Sequence, residues 1–214
     1  DSIWTESNGY SYGASITPDG RYILFHSDGD NLALNDTNWQ QDVFVRDITN
    51  NTTTLISADN SWNIWNSYSQ AYSITPDGRY VLFDSYSDNL VANDTNFQQD
   101  SFVRDTVNNI TIRVSENNLW EGANSYSQGT MMTLDGRYVL FMSYADNLVA
   151  NDTNWSSDVF MRDVLNNTTV RVSEDELWNE WNNNSSPTAI TSGGEYVLFY
   201  SDASNLVPND TNWW

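Results

Sequence analysis

A six-residue string, Thr17-Pro18-Asp19-Gly20-Arg21-Tyr22, returns at Thr75 to Tyr80, at Thr133 to Tyr138 with Leu134 replacing the proline, and more loosely at Thr191 to Tyr196. Each return lies 58 residues after the last, and Asn35-Asp36-Thr37-Asn38-Trp39 keeps the same step at Asn93, Asn151 and Asn209. No insertion or deletion separates any two copies. Residues 58–115 and 116–173 share 36 identities in 58 positions, which points to recent duplication or to selection toward one consensus. A period of this length predicts a solenoid, a propeller or an array of stacked units.

The residue types say what the unit is. Asp and Asn compete with helical hydrogen bonding and favour turns, whereas Tyr, Trp, Val, Ile and Thr suit pleated strands, so 22 Asp and 29 Asn beside 12 Tyr and 10 Trp point to an all-β chain. In the second copy, 67–75 reads as a strand, Pro76-Asp77-Gly78 as a turn and 79–85 as a second strand. A long loop then ends in the Asn-Asp-Thr-Asn motif. Residues 100–105 form the third strand, Asn108-Asn109 a tight turn suited to positive φ, and 110–115 the fourth. Four antiparallel strands per copy is the pattern of a propeller blade, whose sheet must stack on neighbours to bury both faces. The expected fold is all-β, a propeller-like array with blades at 1–57, 58–115 and 116–173 and the first two strands of a fourth at 174–214.

The run TPDGRYVLF, DNLVANDTN, DVFVRD and NNTT before RVS resembles the TolB-like (WD-like) β-propeller repeat across essentially the whole chain. That resemblance implies a propeller fold and a role in binding or scaffolding rather than chemistry. Members of the family usually have Gly after the DTN motif and Thr-Gly at the third turn. This chain has Trp39, Phe97, Trp155 and Trp213 at the first place and Asn-Asn at the second. The copies supply fourteen strands where a ring of four blades needs sixteen, so the expectation is either a piece of a longer propeller or an open sheet edge paired with another chain.

The charge is -21, from 29 acidic residues against 8 arginines with no lysine, which argues against nucleic acid and anionic membrane surfaces as partners. No stretch is apolar enough for membrane insertion, and with no signal-like segment after Asp1 a soluble or already processed chain is expected. Cysteine is absent, which excludes disulfides, thiolate metal sites and thiol nucleophiles. Together with abundant Asn, this composition fits an extracellular or cell-surface location.

Catalysis is not expected. His26 is the single histidine, and its equivalents are Asp84, Met142 and Tyr200. No nucleophile-elbow, zincin or P-loop motif occurs. Asp28 and Asp30 could imitate a glycosidase pair, but Asp30 recurs as Asp88 and Asp146 in a turn.

Three sets of repeated residues remain as candidate sites. Asp36, Asn38 and Asp42, recurring as Asp94, Asn96 and Asp100 and as Asp152, Asn154 and Asp158, offer hard oxygen ligands for Ca²⁺. The alternative is an Asx-turn whose second aspartate pairs with an arginine. Trp4, Trp62, Trp120 and Trp178 recur between blades, and Trp39, Phe97, Trp155 and Trp213 recur in the long loop. These rings could stack on sugars, contact a second subunit or fill the wedge between blades. Sequons for N-glycosylation fall at Asn35, Asn93, Asn151 and Asn209 and, on the last hairpin, at Asn51, Asn109 and Asn167. Asn-Asn is also simply a good turn. The expected function is a glycosylated extracellular scaffold or filament subunit that associates with copies of itself; the alternative is a carbohydrate-binding propeller whose partners are glycans.

Overall fold

The computed structural model describes residues 6–34, 36–61, 67–174 and 181–206. They contain fourteen strands and no helix. The chain divides into two compact units, Asp1–Arg113 and Val114–Trp214.

The first unit holds two four-stranded antiparallel sheets. One runs β1 (Ser11–Ile16), β2 (Tyr22–Ser27), β3 (Asp42–Asp47), β4 (Thr52–Leu55); the other runs β5 (Ser69–Ile74), β6 (Tyr80–Ser85), β7 (Asp100–Asp105), β8 (Ile110–Arg113). The second unit repeats this order in β9 (Ser127–Met132), β10 (Tyr138–Ser143), β11 (Asp158–Asp163) and β12 (Thr168–Arg171), and adds the hairpin β13 (Ser185–Ile190) and β14 (Val197–Ser201). Three full blades and a two-stranded piece match the expected architecture. Every first strand carries a register shift at the same place, between Gly13 and Ser15 in β1, Ala71 and Ser73 in β5, and Pro187 and Ala189 in β13. Such a bulge bends and twists the strand.

Each full blade is centred on one cross-strand phenylalanine pair. Phe25 faces Phe44, Phe83 faces Phe102 and Phe141 faces Phe160, with ring centroids 5.5, 5.6 and 5.5 Å apart. Burying such a ring contributes about 2–3 kcal/mol. Within the first unit the blades share one core, Leu24, Val43, Val45 and Ile56 packing on Ala71, Val81, Phe83 and Phe102. A polar clamp joins the same two blades: the Ser69 amide donates to the Gln41 carbonyl at 2.9 Å, and the Gln41 side-chain amide donates back to the Ser69 carbonyl at 3.0 Å.

The recurring turn motif is explained residue by residue. Thr17 Oγ1 donates to Asp19 at 2.6 Å, Asp19 accepts the Arg21 amide at 3.0 Å, and the Tyr22 amide returns to Thr17 Oγ1 at 3.0 Å. Arg21 then lies over the Tyr22 ring at 4.6 Å and grips Asp47 through Nη2 at 2.9 Å. Arg79 with Asp105 and Arg137 with Asp163 repeat the grip at 2.8 Å. The turn glycine takes φ near +76° at Gly78, and a Cβ there would meet the Tyr22 ring of the preceding blade at 2.5 Å.

A second arginine fastens the incoming loop. Arg104 is buried, and its Nη1 donates to the carbonyls of Ala58 and Asp59 at 3.2 Å and to Thr111 Oγ1 at 2.8 Å. Arg162 does the same work in the next blade, donating to the Asn117 carbonyl at 3.4 Å and pairing with Glu116 at 2.6 Å.

Candidate functional site

In the long loop, one asparagine sets the backbone of the residue that follows it. The Asn38 side-chain oxygen accepts the Gln40 amide at 2.9 Å while its Nδ2 donates to Asp42 at 2.9 Å. Asn96 makes the same two bonds at 2.8 and 2.7 Å, and Asn154 at 2.7 and 2.9 Å. This is an Asx-turn, closed by a side chain and tied at its base to a buried aspartate. The residue enclosed in it is driven to positive φ: Trp39 at 59°, Phe97 at 55° and Trp155 at 59°. Left-handed backbone costs a bulky residue roughly 1–2 kcal/mol. The rings gain no burial there, being 78%, 77% and 87% exposed.

They therefore do not fill a wedge between blades. Trp120, in the loop leading into β9, is also at positive φ and is 65% exposed. Trp4, Trp62, Trp178 and Trp213 lie outside the described residues. A ring the sequence reading passed over, Trp181, is buried and packs on Phe199 at 4.9 Å. Its aligned residues, Trp65 and Ala123, differ too much in size for the repeat to have marked it.

Around Trp155 the surface is concave. A cavity of about 260 Å³ is lined by Tyr144, Trp155, Asn124, Ser125, Asp146, Asp152 and Ser156. Asn124 Nδ2 donates to Asp146 at 2.6 Å, which fixes two of the polar groups of this lining. In blade 1 the residue aligned with Tyr144 is Asp28, so the aromatic pair is not common to every copy.

The three acidic sets come together as the sequence suggests, but their surroundings differ. In blade 2, Arg113 Nη1 lies 3.3 Å from Asp94 and 3.8 Å from Asp100, all three buried. In blade 3, Arg171 Nη1 lies 3.6 Å from Asp152. Asp158 accepts from Asn154 at 2.9 Å and from Ser173. Blade 1 has Leu55 at this position, packed with Leu32, Phe44 and Ala58. Asp42 still accepts from Asn38 and Ser57, but no side chain of the described residues donates to either carboxylate oxygen of buried Asp36, whose one polar neighbour is the Asn38 backbone amide. Burial, reinforced by the charges of Asp42 and Asp30, pushes the Asp36 carboxyl up to about 7. Among the described residues no group of three or more His, Cys, Asp or Glu side chains forms a ready-made metal centre.

The sequon asparagines sit on turns. Asn51, Asn109 and Asn167 take φ of 55°, 57° and 55° at the hairpin tips, and Asn93 and Asn151 take 63° and 62° in the long loop. Asn93, Asn109, Asn151 and Asn167 are exposed, and Asn51 is half-buried. Asn51 and Asn167 turn their side-chain oxygens toward Arg46 and Arg162. Asn35 and Asn209 lie outside the described residues. His26 is half-buried beside Tyr12, with ring centroids 5.6 Å apart, and desolvation holds its pKa below the usual histidine value.

No family model matches the chain, and no curated protein matches it either. Solved structures do. A prolyl endopeptidase is 10% identical, with a TM-score of 0.51 over 87% of this chain and 24% of its own. A protein described as TolB from Agrobacterium tumefaciens is 16% identical, with a TM-score of 0.46 over 78% of this chain and 50% of its own. This chain thus spans half the length of that TolB or less of the others. The likeness is one of fold: an all-β, propeller-type array of four-stranded blades.

Proposed function

We propose that the chain is a non-catalytic interaction module of the cell exterior, a scaffold or filament subunit that associates with copies of itself and carries sugar on its outward turns. The observation that carries this reading is the strained, solvent-facing aromatic in each full blade. A glycine would take the same backbone without strain, so a Trp or Phe kept there in three copies serves contact rather than folding. The flank of β1 supports a self-partner: Tyr10, Tyr12 and Ile16 are exposed, whereas β5 has its Ala71 covered by the neighbouring blade. The exposed sequons Asn93, Asn109, Asn151 and Asn167 support the glycosylated form and, with it, secretion.

Sedimentation velocity on the parent chain and on Trp39→Gly/Phe97→Gly/Trp155→Gly tests it. The parent is expected to form larger species as concentration rises, and the triple variant to stay monomeric with an unfolding midpoint equal to or above the parent's. A parent that stays monomeric throughout sinks the reading.

The cavity beside Trp155 favours a second reading, a glycan-binding site. Two aromatic faces and a fixed Asn–Asp pair suit the apolar face and hydroxyls of a sugar ring. Glycan-array binding that is lost in Trp155→Ala and in Tyr144→Ala, from a monomeric parent, would establish it instead.

A further inference from the structure

The three copies of the acidic loop are alike except in what neutralises them. In blade 2 a single guanidinium nitrogen stands within 4 Å of both carboxylates, 3.3 Å from Asp94 and 3.8 Å from Asp100. One positive charge at that point therefore serves the pair. Blade 3 places Arg171 Nη1 3.6 Å from Asp152, with its Nε 3.6 Å from Glu174. Blade 1 keeps both acids, Asp36 at 4% exposure and Asp42 at 0%, but its aligned residue is Leu55, and no arginine in the described part of the blade reaches Asp36. Arg21 is engaged with Asp47, and Arg46 with Thr53 and Asn51, at the far end of the sheet.

We propose that blade 1 binds one Ca²⁺ where blades 2 and 3 hold an arginine, with Asp36 as its principal ligand and Asp42 sharing the ion. The donors are all hard oxygens, which suits Ca²⁺ and not a thiophilic or imidazole-seeking metal. Asp36 offers two oxygens that no side chain of the described residues satisfies, buried in protein with only the Asn38 backbone amide nearby. Asp42 accepts from the Ser57 hydroxyl on Oδ1 and from the Asn38 amide on Oδ2, which hold its carboxylate in place. An isolated buried carboxylate is strongly disfavoured, so something positive or a proton must accompany it. With only two carboxylates contributing, affinity belongs in the weak range of roughly 0.1–1 mM typical of extracellular modules. This differs from a calcium site in every copy: two of the three loops carry their own cation, and the third takes one from solution.

Calorimetric titration with CaCl₂, paired with thermal unfolding at saturating CaCl₂ and at matched ionic strength in NaCl, tests the proposal on three chains. The parent is expected to bind one ion and to gain roughly 3 °C or more in unfolding midpoint. Leu55→Arg supplies the sister blades' guanidinium and is expected to lose both the binding and the gain. Asp36→Asn, which removes the buried charge without changing shape, is expected to unfold no earlier than the calcium-free parent and to ignore Ca²⁺. No binding by the folded parent overturns the proposal, and so does a response that survives in both variants, since that would place the ion on the acidic surface. Should Leu55→Arg fail to fold, Asp36→Asn decides alone.

Discussion

At the scale of single residues, side chains here substitute for backbone. Asn38, Asn96 and Asn154 each close a turn that a peptide group would otherwise close, and each is anchored to an aspartate four residues on. Asn96→Ala is expected to cost about 1–2 kcal/mol, because two hydrogen bonds go and buried Asp100 loses a donor. Urea unfolding measures this, and an unchanged midpoint would mean that the turn holds itself. The sequence carried this chemistry in part: an Asx-turn was foreseen, and the left-handed Trp and Phe inside it were not. Propensity disfavours such residues at positive φ, and it is the local pair of asparagine bonds, to the amide two residues on and the aspartate four residues on, that holds them there. Leu55, by contrast, was legible and overlooked, since stepping by 58 residues sets it beside Arg113 and Arg171.

At the scale of elements, the blade ends where side chains take over the ladder. The reading extended the fourth strand to Ser115, but β8 stops at Arg113. Blade 1 gives the reason: the Val43 amide donates to Ser57 Oγ at 3.0 Å, so pairing passes from carbonyl to hydroxyl just past β4. The third strand, by contrast, was placed correctly at Asp100–Asp105, since alternation and flanking aspartates both mark it. The turns allow a paired test. Gly20 has φ of 70° with nothing within 4 Å of a Cβ, whereas Gly78 has φ of 76° with Tyr22 at 2.5 Å. Gly20→Ala is expected to cost about 1 kcal/mol, the backbone term alone, and Gly78→Ala at least about 1 kcal/mol more, as the ring must move. Equal losses in thermal unfolding would show that the Tyr22 contact is inconsequential. Arg104→Ala removes the group that holds residues 58–60 to blade 2 and leaves buried carbonyls without donors; a loss of about 3 kcal/mol is expected, with faster amide exchange at Thr111.

At the scale of the whole molecule, the charge of -21 is mostly the turn chemistry multiplied by copy number. It opposes self-association over distances comparable to the Debye length, about 30 Å at 0.01 M salt and about 8 Å at 0.15 M. Raising NaCl across that range is expected to shift the parent chain toward larger species in sedimentation, and a shift the other way would mean that ion pairs rather than rings form the contact. Acid acts through the turn arginines. The hydrogen bond from Arg21, helped by Asn50, lowers the Asp47 carboxyl to about 2, and Arg137 lowers Asp163 in the same way. A carboxyl lowered in the folded state contributes stability that is complete above its unfolded value near 4 and is lost as pH falls through about 2. The urea midpoint is therefore expected to fall between pH 4 and pH 2, less steeply in Arg21→Gln; identical slopes would assign the acid loss to other groups.

The turn that holds Trp39, Phe97 and Trp155 belongs to the repeated 58-residue unit, so under the function proposed above each added unit brings one more contact already built. Valence then rises by one per blade while the strength of each contact stays where the turn set it. On that proposal avidity is gained by counting, and a partner offering a single docking point is expected to feel almost none of it.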